Sequence, residues 1–494
     1  VNAERIRKIV ILGGGTAGWM TASALSRALV NTGVEVTLIE SEDIGIVGVG
    51  EATIPTIHWF NQLVGLNDAE FMRETQAIYK LGIDFREWGG PGQTYFHPFG
   101  LFGAPGEGIA FYHRWIRARL AGKVDDDFEA FSIAAQLGRG HRFAFPGQDR
   151  RSLLSNLGYA YHFDASLYAR YLRKLAEGRG IKRVEGIVQE IKQHPETGFV
   201  TSLTTNKGDT LEGDLFIDCS GFRGVLIEQT LKTGYDDWSH WLPCDRAWAV
   251  PSENTGDLHP YTRSTARAAG WQWRIPLQHR TGNGYVYSSR YVSDDEARQT
   301  LLDNLEGQAL EEPRQVRFLA NKRKKAWNKN VVAIGLASGF LEPLESTSIH
   351  FIQTGISRLL SLFPNRDCDP YTVEQYNRVA TSEMEAARDF IVLHYHASRA
   401  PGAMWDHVRA APIPEALAYK IEHFRRTGRI VIPPEELFRE ASWFAVFMGQ
   451  GIRPHDYNPL TDAENADEAA AHLTRLKAAI AQARDQLPTY RPGK

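Results

Sequence analysis

Cysteine is scarce in this chain: Cys219, Cys244 and Cys368 are its three thiols among 494 residues, and no two stand close in sequence. That spacing argues against a disulfide framework or a zinc knuckle and fits a reducing compartment, so a cytoplasmic location is expected. Neither sign of charge prevails, since 56 basic against 59 acidic residues leave a formal net charge of -3. Such a balance offers no electrostatic footprint for nucleic acid or an anionic membrane. Long apolar runs are missing too; Val331-Val332-Ala333-Ile334 is strand-sized, far below the roughly 20 residues that span a bilayer. The N-terminus shows neither the apolar stretch nor the cleavage site of a secretory signal, so no targeting segment is expected. The serine-rich segments contain no GxSxG elbow, which removes support for a serine hydrolase. His394 and His396 resemble a metal pair, but on a helix over Ser382 to Ala397 residues two apart diverge by about 200°, so no metal is expected.

What the chain does have is an ordinary globular composition, 43% hydrophobic and 23% charged, and an N-terminal nucleotide signature. Lys8 to Leu12 reads as a buried strand, Gly13, Gly15 and Gly18 as a tight turn, and Thr16 to about Ala28 as a helix. Val34 to Ile39 returns as a second strand ending in Glu40, roughly 20 positions past the last glycine. The physical logic is direct. Gly13 permits the turn, Gly15 lets the backbone approach a pyrophosphate, Gly18 lets helix and strand pack closely, and the helix start at Thr16 and Ala17 faces the phosphates. Glu40 is placed to accept hydrogen bonds from ribose hydroxyls, or else is a solvated strand-end carboxylate.

From about Asp43 to Phe163 the pattern turns irregular, with glycine-rich loops and aromatic clusters such as Tyr95-Phe96-His97-Pro98-Phe99. It reads as an insertion that builds a pocket over a cofactor. A helix is expected around Ala165 to Glu177, a strand near Glu185 to Ile191, a hairpin through Val200 to Thr204 and a strand over Asp214 to Asp218. Val331 to Gly335 reads as the last core strand. After Asp367 the composition becomes helical, with Asp369-Pro370 as a cap and first-turn pair and an apolar stripe at Leu473, Leu476 and Ile480. No internal repeat or low-complexity tract is apparent.

Trp271 and Trp273 stand in Gly270-Trp271-Gln272-Trp273-Arg274-Ile275-Pro276. On an extended strand, alternate residues point to the same side, so the two indoles either wall off a passage or fill a core beneath a sheet.

Taken in order, Gly13-Gly14-Gly15-Thr16-Ala17-Gly18-Trp19, Gly48 to Pro55, Trp271 to Pro276 and Gly339 to Phe351 resemble the motifs of the flavin-dependent tryptophan halogenases and their relatives. The resemblance covers essentially the whole chain, and the WxWxIP run together with Glu342-Pro343-Leu344-Glu345-Ser346-Thr347 is highly specific. It implies an α/β protein, with a Rossmann-like FAD-binding domain of the flavin monooxygenase type over residues 1–366, the insertion at about 43–163, and a mostly helical substrate-covering domain over 367–494. The implied reaction uses reduced FAD from a separate NAD(P)H-dependent flavin reductase, with oxygen, to oxidise a bound halide, chloride or bromide, to hypohalous acid. That acid travels through a tunnel to a lysine beside the substrate.

The matching lysine is Lys80, whose apolar neighbours in Ala77-Ile78-Tyr79-Lys80-Leu81-Gly82 would desolvate its ammonium. The bland alternative is a lysine snorkelling from a helix end. Glu345 is the matching base: attack on an arene leaves a cation that must lose a ring proton, and a carboxylate serves both needs. Glu342 suits a structural role at the following helix. Thr347 and Ser348 match the halide site at that helix start, although the family commonly has glycine at the second position. Ser346 matches a residue linking flavin and substrate regions. Further cofactor contacts are implied at Val49 and Ala52 in the strap Val47 to Pro55, at Val188 ending a strand, and at Gly335 and Leu336. Asp218 to Gly224 also matches, with a structural turn as its simplest role.

For the substrate, His97 and Phe99 match the aromatic residues that sandwich an indole, and Trp271, Trp273, Ile275 and Pro276 match the tunnel wall. The family's clamp on free tryptophan includes a Tyr-Tyr pair, which this chain lacks. The corresponding stretch, Phe438 to Gly451 with Trp443, is apolar. A small aromatic substrate is therefore expected, indole or a larger indole- or phenol-bearing molecule, handled by a monomer or homodimer. The competing readings are a flavin-dependent aromatic hydroxylase and a non-catalytic binding protein on the same fold.

Overall fold

The computed structural model describes residues 4–43, 50–103, 108–149, 151–433 and 436–492. The chain forms two compact units, each assembled from three segments: Val1–Ala77, Phe163–His240 and Phe318–Met384 in the first, and Ile78–His162, Trp241–Arg317 and Glu385–Lys494 in the second. The boundary expected at 366/367 falls inside the first unit. Of the expected insertion at 43–163, residues 78–162 belong to the second.

In the first unit, a six-stranded sheet runs in the order Trp327–Asn328, Val331–Ala333, Leu215–Asp218, Lys8–Leu12, Glu35–Glu40, Lys182–Glu185. Every neighbouring pair is parallel except the first. Central strands such as Ile9-Val10-Ile11 are apolar at consecutive positions because both faces of a parallel sheet are covered. Helices Thr16–Ala28 and Ala165–Gly178 pack together in this unit, and Ser348–Ser361 joins the first of them. The antiparallel meander Val188–Gln193, Val200–Thr205, Thr210–Glu212 contributes Val200 and Leu203 to a core with Val10, Leu12, Ile39 and Phe216.

Local chemistry sets several boundaries. Asp164 caps Ala165–Gly178, its Oδ1 accepting from the amides of Ser166 (3.0 Å) and Leu167 (3.1 Å). Asp369 does the same for Pro370–Ala397 through Tyr371 and Thr372, both at 3.0 Å. Asp218, fully buried, accepts from Ser220 with one oxygen and from the amides of Leu226 and Ile227 with the other, which fixes Asp218 to Gly224 as a structural turn.

The second unit is built on a seven-stranded sheet in the order Arg314–Arg317, Arg246–Ser252, Thr281–Tyr287, Gly270–Pro276, Thr262–Arg267, Gly82–Arg86, Thr94–Pro98. The region expected to be irregular thus contains regular strands. Its aromatic residues Tyr95, Phe96 and His97 are buried, and buried backbone must find hydrogen-bond partners, which a sheet supplies. The helices Ala403–Ala410, Glu415–Thr427, Glu440–Gly449 and Ala466–Gln486 follow, the last burying Leu473, Leu476 and Ile480. The α/β fold with a mostly helical C-terminal part agrees with the reading from sequence.

Candidate active site

In the first unit, the glycine loop separates into crowded and open positions. A Cβ on Gly13, whose φ is +115°, would meet the Cys219 carbonyl oxygen at 2.3 Å; one on Gly18 would meet the Gly13 carbonyl oxygen at 1.8 Å. At Gly15, the N-cap of Thr16–Ala28, nothing lies within 4 Å. Two glycines serve packing and the middle one leaves space at a helix start, beside the partly exposed Thr16 and Ala17, which is where a pyrophosphate needs it. A Cβ on Gly335, with φ +71°, would lie 2.8 Å from the Ala17 Cβ, so this turn closes on the same helix start. Leu336 beside it is exposed. These residues fit the FAD that the motif implies.

Glu40 differs from the simplest expectation. Its Oε1 is bonded by Arg183 Nε (2.5 Å) and Arg173 Nη1 (3.4 Å), and its Oε2 by Trp19 Nε1 (3.3 Å). It is therefore no solvated strand-end carboxylate. Val188 begins the strand Val188–Gln193 rather than ending one, because the chain leaves the parallel sheet after Lys182–Glu185 and enters the three-stranded meander at Val188. Ala52 is buried at the end of Gly50–Ala52, and Val49 lies outside the described residues.

The run from Glu342 to Ser348 is also in this unit. Glu342, Glu345, Ser346 and Thr347 are buried, Ser346 in a left-handed conformation (φ 60°), and the helix Ser348–Ser361 starts behind Thr347 as its N-cap. Thr347 Oγ1 is buried without a hydrogen-bond partner. The free amides of a helix start suit an anion at Thr347 and Ser348.

The second unit holds Lys80, which ends the short strand Ile78–Lys80 and is fully buried. A strand position excludes the reading as a lysine snorkelling from a helix end. Lys80 pairs with Ala160 and Ile78 with His162 in an antiparallel ladder, so Lys80 and His162 are diagonal neighbours on one face. Its Nζ lies over the Phe99 ring, 5.0 Å from the centroid. His162 Nε2 is 2.8 Å from Thr262 Oγ1; burial, then the charge of Lys80, hold this imidazole neutral.

His97 is buried, with Phe390 at 5.8 Å and Phe438 at 6.3 Å between ring centroids. Trp271 and Trp273 lie on Gly270–Pro276 with centroids 6.1 Å apart, and Trp273 rests on Gly284, where a Cβ would come within 2.0 Å of its ring. Ile275 and Pro276 continue this buried strand. Trp443 is fully buried in Glu440–Gly449; its Nε1 donates to Glu436 Oε1 (3.0 Å), and Lys420 Nζ bonds the same carboxylate and sits 4.4 Å from the indole centroid.

Sequence reasoning passed over three groups. Glu51 lies inside a quoted motif but received no role; burial, with Asp164 adding, pushes its carboxyl up to about 7. His162 and the pair His350–Glu383 had no signal, since their meaning arises only from tertiary neighbours. Among the described residues no group of histidine, cysteine and acidic side chains is arranged to hold a metal ion.

A parallel sheet with an open glycine loop at a helix start defines the class of dinucleotide-binding proteins. The comparisons narrow this class. The chain matches the tryptophan halogenase family over residues 8–466. Among solved structures it is similar to BrvH, a flavin-dependent halogenase from Brevundimonas sp. BAL3, at 46% identity and a TM-score of 0.94 over 98% of both chains. It is likewise similar to Xcc4156, a flavin-dependent halogenase from Xanthomonas campestris, at 45% identity and a TM-score of 0.94, covering 98% of this chain and 97% of that one. Tryptophan 6-halogenase SttH of Streptomyces toxytricini is 36% identical, over 95% of this chain and 94% of its own. The chain belongs to the tryptophan halogenase family and is a flavin-dependent enzyme.

Proposed function

We propose that the chain oxidises chloride or bromide to hypohalous acid with FADH2 and oxygen, and that Lys80 presents this acid to an electron-rich, indole-bearing substrate. In balance, halide, a proton, oxygen and FADH2 give hypohalous acid, water and FAD; the arene then exchanges a ring hydrogen for halogen and releases water. The observation that carries the reading is Lys80, a fully buried amine over the Phe99 ring in a member of this family.

When bound in reduced form, FAD supplies the two electrons. Gly13, Gly15, Thr16, Ala17, Gly18 and Gly335 would hold it, with Glu40, Val49, Ala52, Val188 and Leu336 as further contacts. The amides at Thr347 and Ser348 take the halide, and serine in place of the family's commoner glycine bears on which halide is preferred. Lys80 hydrogen-bonds the acid or carries the halogen on nitrogen. Glu345 takes the ring proton. Trp271, Trp273, Ile275 and Pro276 form an unreactive wall, and Ser346 links the two regions.

The substrate reading rests on His97 and Phe99 and on the region near Trp443. There the helix Glu440–Gly449 buries Trp443 through Met448, and Lys420 and Glu436 are engaged with one another. Such surroundings favour a flat aromatic body over a free amino acid, so indole or a larger indole- or phenol-bearing compound fits better than free tryptophan. A separate NAD(P)H-dependent flavin reductase, a cytoplasmic setting and a monomeric or homodimeric state complete the reading. Among the described residues no helix is long and apolar enough to cross a membrane.

Incubation with FAD, a flavin reductase, NADH, indole and bromide tests this. A brominated mass shift that needs bromide is expected; hydroxylated indole in its place would assign a hydroxylase.

A further inference from the structure

The face of the seven-stranded sheet that bears Trp271 and Trp273 carries its side chains in rows across the strands. Ser264 stands opposite Trp273, Phe85 opposite Ser264 and Tyr95 opposite Phe85, so these four share one row. Two residues along the same strands, Thr262, Ile83 and His97 form the next row, about 7 Å away at the ordinary rise of a strand. Thr262 Oγ1 meets His162 Nε2 at 2.8 Å, and His162 is the diagonal neighbour of Lys80. Within the second unit, register thus lines up Trp273 and Ser264 with His97 and with the imidazole diagonal to Lys80.

Two polar atoms of the first row stand without a hydrogen-bond partner, Trp273 Nε1 and Ser264 Oγ, and both are buried. Ser264 is closed off completely, and Trp273 is 8% exposed. The rest of the row supplies neither of them. Phe85 has no polar side-chain atom, and the Tyr95 hydroxyl accepts from Gln450 Nε2 at 2.9 Å. Gly284 has no side chain, and a Cβ there would come within 2.0 Å of the Trp273 ring, so the glycine is what lets the indole lie against the sheet. A buried polar group left unpaired gives up its hydration for nothing, and two such groups on directly opposed residues call for a molecule that pairs with them.

The chemistry of the two groups says what that molecule is. An indole N–H only donates, a serine hydroxyl donates and accepts, and neither carries charge. A small neutral molecule with a single O–H matches them: its oxygen accepts from Trp273 and its proton goes to Ser264. Hypohalous acid has this form, and as an uncharged species it needs no counter-charge among Phe85, Trp271 and Ile275. Water shares the hydrogen-bonding pattern, and the experiment below separates the two.

We propose that Ser264 Oγ and Trp273 Nε1 form a binding site for hypohalous acid, one row away from His97 and Thr262 and ahead of Lys80. The site holds the acid between its formation and its capture by the amine. This rests on the reading that the chain makes hypohalous acid and passes it to Lys80.

The test is Ser264→Ala in the FAD-loaded enzyme, turning over with a flavin reductase, NADH, indole and bromide, with catalase and free methionine in solution. Escaped hypobromous acid converts methionine to its sulfoxide and returns to bromide, so product and leak are counted separately. Brominated indole per NADH should fall about fivefold, the loss expected of one hydrogen bond, with a matching rise in sulfoxide. Bromide KM and FAD affinity of S264A should stay within about twofold, and its unfolding midpoint should hold or rise because an unpaired hydroxyl is gone. Trp273→Phe keeps the ring and removes the N–H, and should also lower the yield. The double variant should fall no further than the worse single one, since both groups hold one molecule. If S264A does not fold, W273F decides, and failure of both to fold makes the pair structural and overturns the proposal. Unchanged yield with a lowered unfolding midpoint would mean a structural water only, and a raised bromide KM without leak would mean an anion site; either result overturns it. If the wild type forms neither brominated indole nor sulfoxide, the halogenase reading fails first, so the two failures are distinguishable.

Discussion

Gly18 lies so close beneath Gly13 that a side chain on it would reach within 1.8 Å of the Gly13 carbonyl oxygen, whereas a side chain on Gly15 would meet nothing within 4 Å. Backbone cannot step aside as a flexible side chain can. Gly18→Ala should therefore destabilise the protein by about 1–3 kcal/mol, read as a fall in denaturation midpoint. Gly15→Ser should act in the opposite way. Serine is a good N-cap, so stability should hold within about 0.5 kcal/mol, while FAD affinity drops on the order of tenfold or more because Oγ occupies the open space. Equilibrium unfolding and an FAD titration check both.

Glu51 is only half-buried by surface area, yet protein atoms surround it densely enough that burial, with Asp164 adding, raises its carboxyl to about 7. The folded state then holds a proton that the unfolded state gives up between the ordinary glutamate range and about 7. Protein stability should fall as pH rises through that window, and the contribution, on the order of 2 kcal/mol, is fully present only below it. Glu51→Gln should flatten this slope and gain stability near neutral pH. Unfolding curves of both proteins at pH values across the window decide it; identical slopes would contradict the assignment.

The contrast between Gly15 and Glu51 shows what sequence could reveal. The strand Lys8–Leu12 and the helix Thr16–Ala28 fall where the apolar run and the glycines put them, because local pattern and tertiary packing agree there. Lys80 was legible through the family resemblance, to which its apolar neighbours added the argument for a desolvated amine; its burial in a strand is what the fold contributes. The strands at Gly82–Arg86 and Thr94–Pro98 were not legible: the first is held against the distant strand Thr262–Arg267, the second is an edge strand paired with the first, and both are too short for their pattern to stand out from the loops around them. Glu40 illustrates a different limit: its position beyond the last glycine was clear, but its contacts with Arg173 and Arg183 depend on a helix and a strand about 140 residues on. His350 and Glu383 were silent because a histidine on an apolar helix means nothing until its partner is in place.

For Glu345, loss of the carboxylate should slow the chemical step without disturbing the cofactor. Glu345→Gln is expected to lower kcat by about 10²–10⁴-fold with FAD affinity unchanged, since general bases contribute in that range. Steady-state rates and an FAD titration measure it. Retained kcat would remove Glu345 as the proton acceptor.

Lys80 carries the central claim, that halide is oxidised first and then handed to a buried amine. The most direct measurement is the yield of brominated indole per NADH consumed, with FAD, a flavin reductase and bromide, for the wild type and for Lys80→Ala. The account predicts that K80A consumes NADH and oxygen at a rate close to wild type and forms no brominated indole. Brominated indole from K80A at a yield near that of the wild type would contradict it.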